Sequence, residues 1–244
     1  MRILVVSDIH ANLAALDAVL SAAGSLDAVW SLGDSVGYGP QPSECLARLQ
    51  QAGAVMIAGN HERAATGAIS TDDFNPDAAT SAQWTKKTLS PAEHGFLDAL
   101  PEVSLQPDCT LVHGTLRDPI WEYMHSYEAA SAHLRLQESP LGFFGHTHIP
   151  TLVTEDHRLP RGCELYRLQE GERIDVPADS KIVVNPGSVG QPRDGDPRSS
   201  CALYDTNDNA ITLHRLEYDI GATQKLMEEA KLPRWLIERL AAGR

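Results

Sequence analysis

Residues 2–34 read RILVVSDIHANLAALDAVLSAAGSLDAVWSLGD. Ile3 to Val6 form a compact apolar run, as a buried strand does. Leu13, Leu16, Val19 and Leu20 then recur at helical spacing, and Gly24 fits a helix stop. DAVWSLGD, 27–34, is a second strand. The unit then repeats: PSECLARLQQAG, 42–53, predicts a helix with proline early and Gly53 closing it, and AVMIAGN, 54–60, predicts a third strand. Strand-helix-strand alternation implies a parallel sheet with right-handed crossovers. Asp8, Asp34 and Asn60 end the three predicted strands, and 34 − 8 = 26 while 60 − 34 = 26. Equal units place these three oxygen-bearing side chains at one carboxyl edge, where ligands bind in open α/β sheets.

The rest of the chain predicts helices between 61 and 100, in PDAATSAQWTKKTL (76–89) and PAEHGFLDAL (91–100). CTLVHGT, 109–115, is a short strand ending in His113, and RDPIWEYMHSY, 117–127, is an irregular loop leading to a helix at 127–138. Further strands are expected at 141–145, 151–155, 163–168, 181–185, 200–205 and 210–217, with closing helices at 221–231 and 233–241. No low-complexity tract or long linker divides the chain, so one domain is expected over 1–244. The two halves fit two sheets packed face to face with helices outside.

Within LGFFGHTHIPTLV, 141–153, His146 and His148 follow an apolar run and flank a single residue. On extended backbone, residues i and i+2 face the same side, about 6.5–7 Å apart. Two imidazoles there suit metal ligation. SDIH gives Asp8 and His10, GD gives Asp34, GNHE gives Asn60 and His61, VHG gives His113, and GHTH gives His146 and His148. The candidate ligands among them, His61 set aside, are two carboxylates, one amide and four imidazoles, more than one tetrahedral zinc requires. They suit two ions about 3.5–4 Å apart. With no thiolate among them, manganese is the first choice, and iron, zinc, nickel or cobalt also fit.

The net charge of −13 disfavours a nucleic-acid polymer as partner and leaves room for a small phosphorylated one. No apolar run approaches the roughly 20 residues of a membrane span. The N-terminus lacks the pattern of a signal peptide, so a cytoplasmic location is expected. Cys45, Cys109, Cys163 and Cys201 are widely spaced and read as reduced core residues.

The ordered string DIH, GD, GNHE, H and GHTH resembles the calcineurin-like metallophosphoesterase family over about residues 1–150, and NPGSVGQPRDG, 185–195, looks like the tail of its small bacterial members. The resemblance implies an α/β four-layer α/β/β/α sandwich of two mixed β-sheets flanked by helices. It implies one ion held by Asp8, His10, Asp34 and His148, and another by Asp34, Asn60, His113 and His146, with Asp34 bridging. It places His61 near the leaving group, off the metal. No appended domain or basic surface like those of the family's nucleases is expected.

The chemistry fits that picture. Two divalent ions clamp phosphate oxygens and activate a water, and a histidine beside Asn60 can protonate the leaving group. The expected function is a dimetal phosphoesterase acting on small phosphodiesters or nucleotide-type substrates. Dinucleoside polyphosphates and phosphoproteins are alternatives within it. A non-catalytic metal-binding scaffold is a second class, and hydrolysis of a non-phosphorus bond a third. Ordinary roles compete at single residues: Asn12 as a helix cap, Arg63 as a helix residue, and His94, His125, His133, His157 and His214 as surface or core groups. Arg193 is either a salt-bridged loop residue or a phosphate contact, and Trp121 and Tyr123 either pack on the sheet or wall a base.

Overall fold

The computed structural model describes residues 1–244. In chain order the elements are β1 (Arg2–Val6), α1 (Leu13–Ala22), β2 (Ala28–Ser31), α2 (Pro42–Gln51), β3 (Val55–Met56), α3 (Asn60–Thr66), α4 (Pro76–Thr88), α5 (Pro91–Asp98), β4 (Val103–Gln106), β5 (Cys109–Val112), α6 (Tyr127–Leu136), β6 (Leu141–Phe143), β7 (Thr151–Glu155), β8 (Cys163–Arg167), β9 (Arg173–Asp175), β10 (Ile182–Asn185), β11 (Ser199–Asp205), β12 (Ala210–Leu216), α7 (Ile220–Glu229) and α8 (Arg234–Glu238), followed by a 3₁₀ turn, Arg239–Ala242.

One sheet runs β3-β2-β1-β11-β12-β9 and the other β4-β5-β6-β10-β7-β8. Both are mixed: β1 is parallel to β2 and antiparallel to β11, and β10 is parallel to β6 and antiparallel to β7. Alternation along β1 shows the layering. Leu4 and Val6 pack with Leu16 and Val19 of α1 and Leu46 and Leu49 of α2. Ile3 and Val5 face the other way and pack with Leu111, Phe143 and Val184 of the second sheet. On that sheet's outer face Val112, Val153 and Val183 meet Ala130 and Leu134 of α6. Both faces of the central strands are therefore covered, and RILVV is apolar without interruption for that reason. This is the expected four-layer sandwich.

Four details differ from the sequence reading. β3 closes after Met56: the Ala58 N–H bonds the Pro101 carbonyl, which draws the chain off the sheet. Asn60 therefore opens helix α3 and does not end a strand. β4 and β9 are additional edge strands, and the final predicted helix divides into α8 and the 3₁₀ turn. Asn12 caps α1 through the Ala15 N–H and also donates to the Gly190 carbonyl. Arg63 donates to the carbonyls of Leu97, Asp98 and Leu100, closing the C-terminal end of α5.

Candidate metal centre

The loops after β1, β2, β5 and β6 and the start of α3 meet at one edge of the two facing sheets. Main-chain bonds tie them together: Asp8 N–H to Gly33 O, His10 N–H to Asp34 O, and Gly145 N–H to His113 O. Asp8, His10, Asp34, His146 and His148 all have positive φ, between 50° and 64°. The extended-backbone expectation for His146 and His148 is therefore corrected, since both lie beyond the end of β6 in left-handed conformation. Such geometry costs of order 1–3 kcal/mol per residue and persists where surrounding structure enforces it. Two glycines permit the close approach. A Cβ on Gly59 would lie 2.2 Å from Asp34 Oδ1, and one on Gly145 would lie 2.0 Å from Ser7 Oγ.

The seven predicted ligand residues are brought together, and none is more than 5% exposed. Asp8, His10, Asp34 and His148 form one group and Asp34, His113 and His146 another; within each, the candidate ligand atoms lie within 4.8 Å of one another. Asn60 Oδ1 joins the second group, 3.2 Å from His113 Nε2. His146 and His148 thus fall in different groups, and Asp34 belongs to both. Asp34 meets both through one oxygen: Oδ2 is 3.8 Å from His10 Nε2 and 3.4 Å from His113 Nε2. Its Oδ1 accepts the His61 N–H at 2.9 Å.

Tautomers decide whether cations fit. A carbonyl only accepts, so any ring nitrogen bonded to one must carry the hydrogen. His10 Nδ1 meets Val36 O, His148 Nδ1 meets Gln191 O, His113 Nδ1 meets Leu32 O and His146 Nε2 meets Trp121 O. In each neutral ring the remaining nitrogen holds a lone pair. Those remaining nitrogens face each other, with His10 Nε2 3.1 Å from His148 Nε2 and His113 Nε2 3.1 Å from His146 Nδ1. Asp8 Oδ1 lies 3.3 Å from His148 Nε2 and has no hydrogen-bond partner. Acceptors crowded on acceptors in a buried site need positive charge among them. Backbone carbonyls that fix the far nitrogen are the usual support of metal-binding histidines.

Ionisation agrees. Burial pushes His10, His146 and His148 well below the ordinary histidine range, leaving their lone pairs free. Burial lifts the Asp8 carboxyl to about 7. Burial would also raise Asp34, but His113 and His61 hold it well below the usual range. Burial opposes a proton on His113, yet the charges of Asp34 and Asp8 lift it to about 9. Protons are retained where the carboxylates lack another cation, and a bound metal would displace them.

His61 stands beside the floor, in a box of rings. Its centroid lies 4.3 Å from Tyr38, 4.8 Å from His10 and 5.2 Å from Phe74, and its Nδ1 is buried without a partner. Burial lowers it to about 4. Glu62, the last residue of GNHE, is central to the loop geometry. Its carboxylate accepts the N–H groups of Asp34, Ser35 and Gly59 at 2.6–2.8 Å, pinning two ligand loops together. Its place two residues after Asn60 is the only sequence signal it offers. The tail motif is a brace: Val189 and Gly190 N–H bond Ser7 O and Asp8 O, and Ser188 Oγ donates to Asp8 O.

Around the mouth, Tyr123 stacks on His146 at 3.8 Å and His125 stacks on Tyr123 at 5.2 Å. Trp121 packs on Phe74 at 5.3 Å. Arg193 makes no salt bridge; its Nη2 donates to Gln191 Oε1 and its guanidinium lies 5.8 Å from the Tyr38 ring centroid. His133 is an internal link away from the site, accepting from Leu116 N–H and bonding Gln137 Oε1.

Two facing mixed sheets with a buried aspartate–histidine floor define an α/β phosphoesterase sandwich. The chain belongs to the calcineurin-like phosphoesterase superfamily, whose domain matches residues 1–209. It is 45% identical to a metallophosphoesterase from Sphaerobacter thermophilus, covering 100% of this chain and 99% of that one with a TM-score of 0.91. It is 37% identical over 249 residues to an uncharacterized protein of Methanocaldococcus jannaschii, covering 99% of this chain and 98% of the relative. A hypothetical protein from Pyrococcus horikoshii shares the fold, with a TM-score of 0.79 at 19% identity over 100% of this chain and 98% of that one.

Proposed function

We propose that this protein is a dimetal-dependent phosphoesterase acting on small phosphoesters, phosphodiesters or nucleotide-type molecules, with the whole chain as one domain. The paired histidine nitrogens carry the reading: with the far nitrogen of each ring fixed by a backbone carbonyl, the near ones converge on shared carboxylate oxygens. The one-domain reading rests on interleaving, since β1 pairs with β11 and β6 with β10.

Asp8, His10, Asp34 and His148 would hold one ion, and Asp34, Asn60, His113 and His146 the other. Manganese is the first choice because the donors are oxygen and imidazole nitrogen, without thiolate. When bound, two such ions neutralise phosphate oxygens and lower the pKa of a water. Asn60, being neutral, leaves the floor less negative than a third carboxylate would, which favours an anionic substrate. His61 would give a proton to the leaving oxygen. In the free protein its ring is neutral, so the proton must be taken up alongside the substrate's own negative charge. A floor this deeply buried admits a small ester group more readily than a folded phosphoprotein surface.

No helix is long and apolar enough to cross a membrane. The four cysteines are free and buried, in keeping with a reducing cytoplasm.

The test is hydrolysis of bis(p-nitrophenyl) phosphate by protein stripped of metal and reloaded with manganese. Turnover restored by manganese, with about two equivalents bound, is expected. Full metal loading without turnover of any phosphoester would favour the scaffold reading.

A further inference from the structure

We propose that Tyr38 is a positioning residue for His61, and that the C-terminal helices α7 and α8 are the buttress that keeps Tyr38 in place. The inference rests on the phosphoesterase reading for its kinetic test. It extends the site to a part of the chain beyond residue 209, where the superfamily match ends.

Each floor histidine is aimed by a hydrogen bond to a backbone carbonyl. His61 is held differently. Its main-chain N–H bonds Asp34 Oδ1, but its ring Nδ1 is buried without a partner. A group that hands over a proton must be held at one angle, since a misplacement of about 1 Å can cost on the order of 10²-fold in rate. Shape must do for His61 what a carbonyl does for the ligands. The loop after Asp34, SVGYGP (35–40), supplies that shape. A Cβ on Gly37 would overlap His61 Nδ1, and one on Gly39 would overlap the His10 carbonyl oxygen, so the loop presses on both residues. Between the two glycines, Tyr38 lays its ring 4.3 Å from His61 and 4.6 Å from His10.

Tyr38 reaches that position with φ at 57°, a conformation that a bulky residue adopts only where its surroundings enforce it. Much of the enforcement comes from the C-terminus. Tyr38 is 7% exposed and belongs to an apolar cluster with Met227 of α7, Leu236 and Ile237 of α8 and Leu240 of the 3₁₀ turn. Met227 and Leu240 line one small cavity together with Tyr38 and His10. Two hydrogen bonds tie the same segment to neighbouring site loops. Thr223 Oγ1 donates to Asn12 Oδ1 at 3.0 Å, two residues after His10. Gly195 N–H donates to Gly243 O at 2.9 Å, in the loop whose Gln191 carbonyl fixes His148. The helices are thus anchored on both sides of the ring they support.

Manganese-loaded Tyr38→Leu, Tyr38→Phe and Met227→Ala are compared with wild type on bis(p-nitrophenyl) phosphate and on a nucleoside 2′,3′-cyclic phosphate, whose leaving group is a sugar hydroxyl. In Tyr38→Leu, kcat on the cyclic ester should fall about 10–10²-fold, with KM and metal content near wild type and the nitrophenyl ester clearly less affected. Tyr38→Phe, which keeps the ring, should restore turnover, and Met227→Ala should show the Tyr38→Leu pattern more weakly. The ring C–H resonances of His61, assigned by their loss in His61→Asn, are followed in parallel by NMR on zinc-loaded protein. They should move in Tyr38→Leu and Met227→Ala and stay close to wild type in Tyr38→Phe. Equal losses on both esters, or unmoved resonances in Tyr38→Leu, would overturn the positioning role. Unmoved resonances in Met227→Ala would overturn the buttress, with Leu240→Ala standing in if that variant does not fold. If the wild type leaves the cyclic ester, or both esters, untouched, the NMR comparison decides the positioning alone; in the second case the phosphoesterase reading falls.

Discussion

The floor of the site and its rim are built on opposite terms. Each floor histidine is fixed by a backbone carbonyl, and the loops that present Asp34 and Asn60 are pinned by Glu62. The rim side chains of Tyr123 and Arg193 are held by ring stacking and a single hydrogen bond, and Tyr123 is 43% exposed. A floor preorganised at the expense of left-handed backbone suits one chemistry that cannot tolerate displacement. A rim of adaptable side chains suits choice among substrates that share that chemistry.

The contrast is broken most severely at Asp34. Asp34→Asn removes negative charge from the one oxygen that faces both groups, and turnover of any phosphoester is expected to fall at least about 10³-fold, several kcal/mol of barrier. Elemental analysis should show reduced metal. Two full equivalents in an active variant would contradict the shared role.

His61 lies between floor and rim in function. His61→Asn should reduce hydrolysis of alkyl or nucleoside esters by about 10²–10⁴-fold and nitrophenyl esters clearly less, with metal content near wild type. Nitrophenolate leaves without a proton, which is why the two substrates separate the roles. Equal losses across pH 6–9, with the ions in place, would assign His61 to orienting phosphate instead.

Glu62→Gln tests the pinning of the loops. An amide in that position turns donors toward the N–H groups of Asp34, Ser35 and Gly59, leaving some unsatisfied at about 1–3 kcal/mol. The expected results are a Tm lower by roughly 3–10 °C and metal binding weaker by about 10–100-fold. A variant with wild-type Tm and metal affinity would show that the loops hold without it.

The smallest effect on activity is expected at His133, remote from floor and rim. Burial depresses its folded pKa to about 4 from an ordinary 6.5. Its folded pKa is the lower one, so the unfolded chain takes up the proton first. The stability it allows is complete above pH 6.5 and is lost as pH falls toward 4, by about 3 kcal/mol in all. His133→Gln should flatten the acid limb of a denaturation profile and leave metal content as it was. An unchanged acid limb would mean that other groups set it.

Much of the architecture was legible in the chain, for identifiable reasons. RILVV and LGFF are apolar because both faces are covered, and Pro42, Pro76 and Pro91 mark helix starts. β4 and β9 escaped because edge strands need no apolar face: Leu105 in β4 is 77% exposed, and β9 is three residues long. The end of β3 was misplaced because a tertiary bond, Ala58 to Pro101, decides it. The floor residues were legible as polar groups stranded at strand ends. Their left-handed backbone and their carbonyl supports were not, since a carbonyl has no residue identity to read.

The account rests on two separate cation positions, and manganese-edge anomalous diffraction from loaded crystals tests them directly. Two peaks are expected, one among Asp8, His10, Asp34 and His148 and one among Asp34, Asn60, His113 and His146, with Asp34 Oδ2 between them. A single peak coordinated by both His146 and His148 would contradict it.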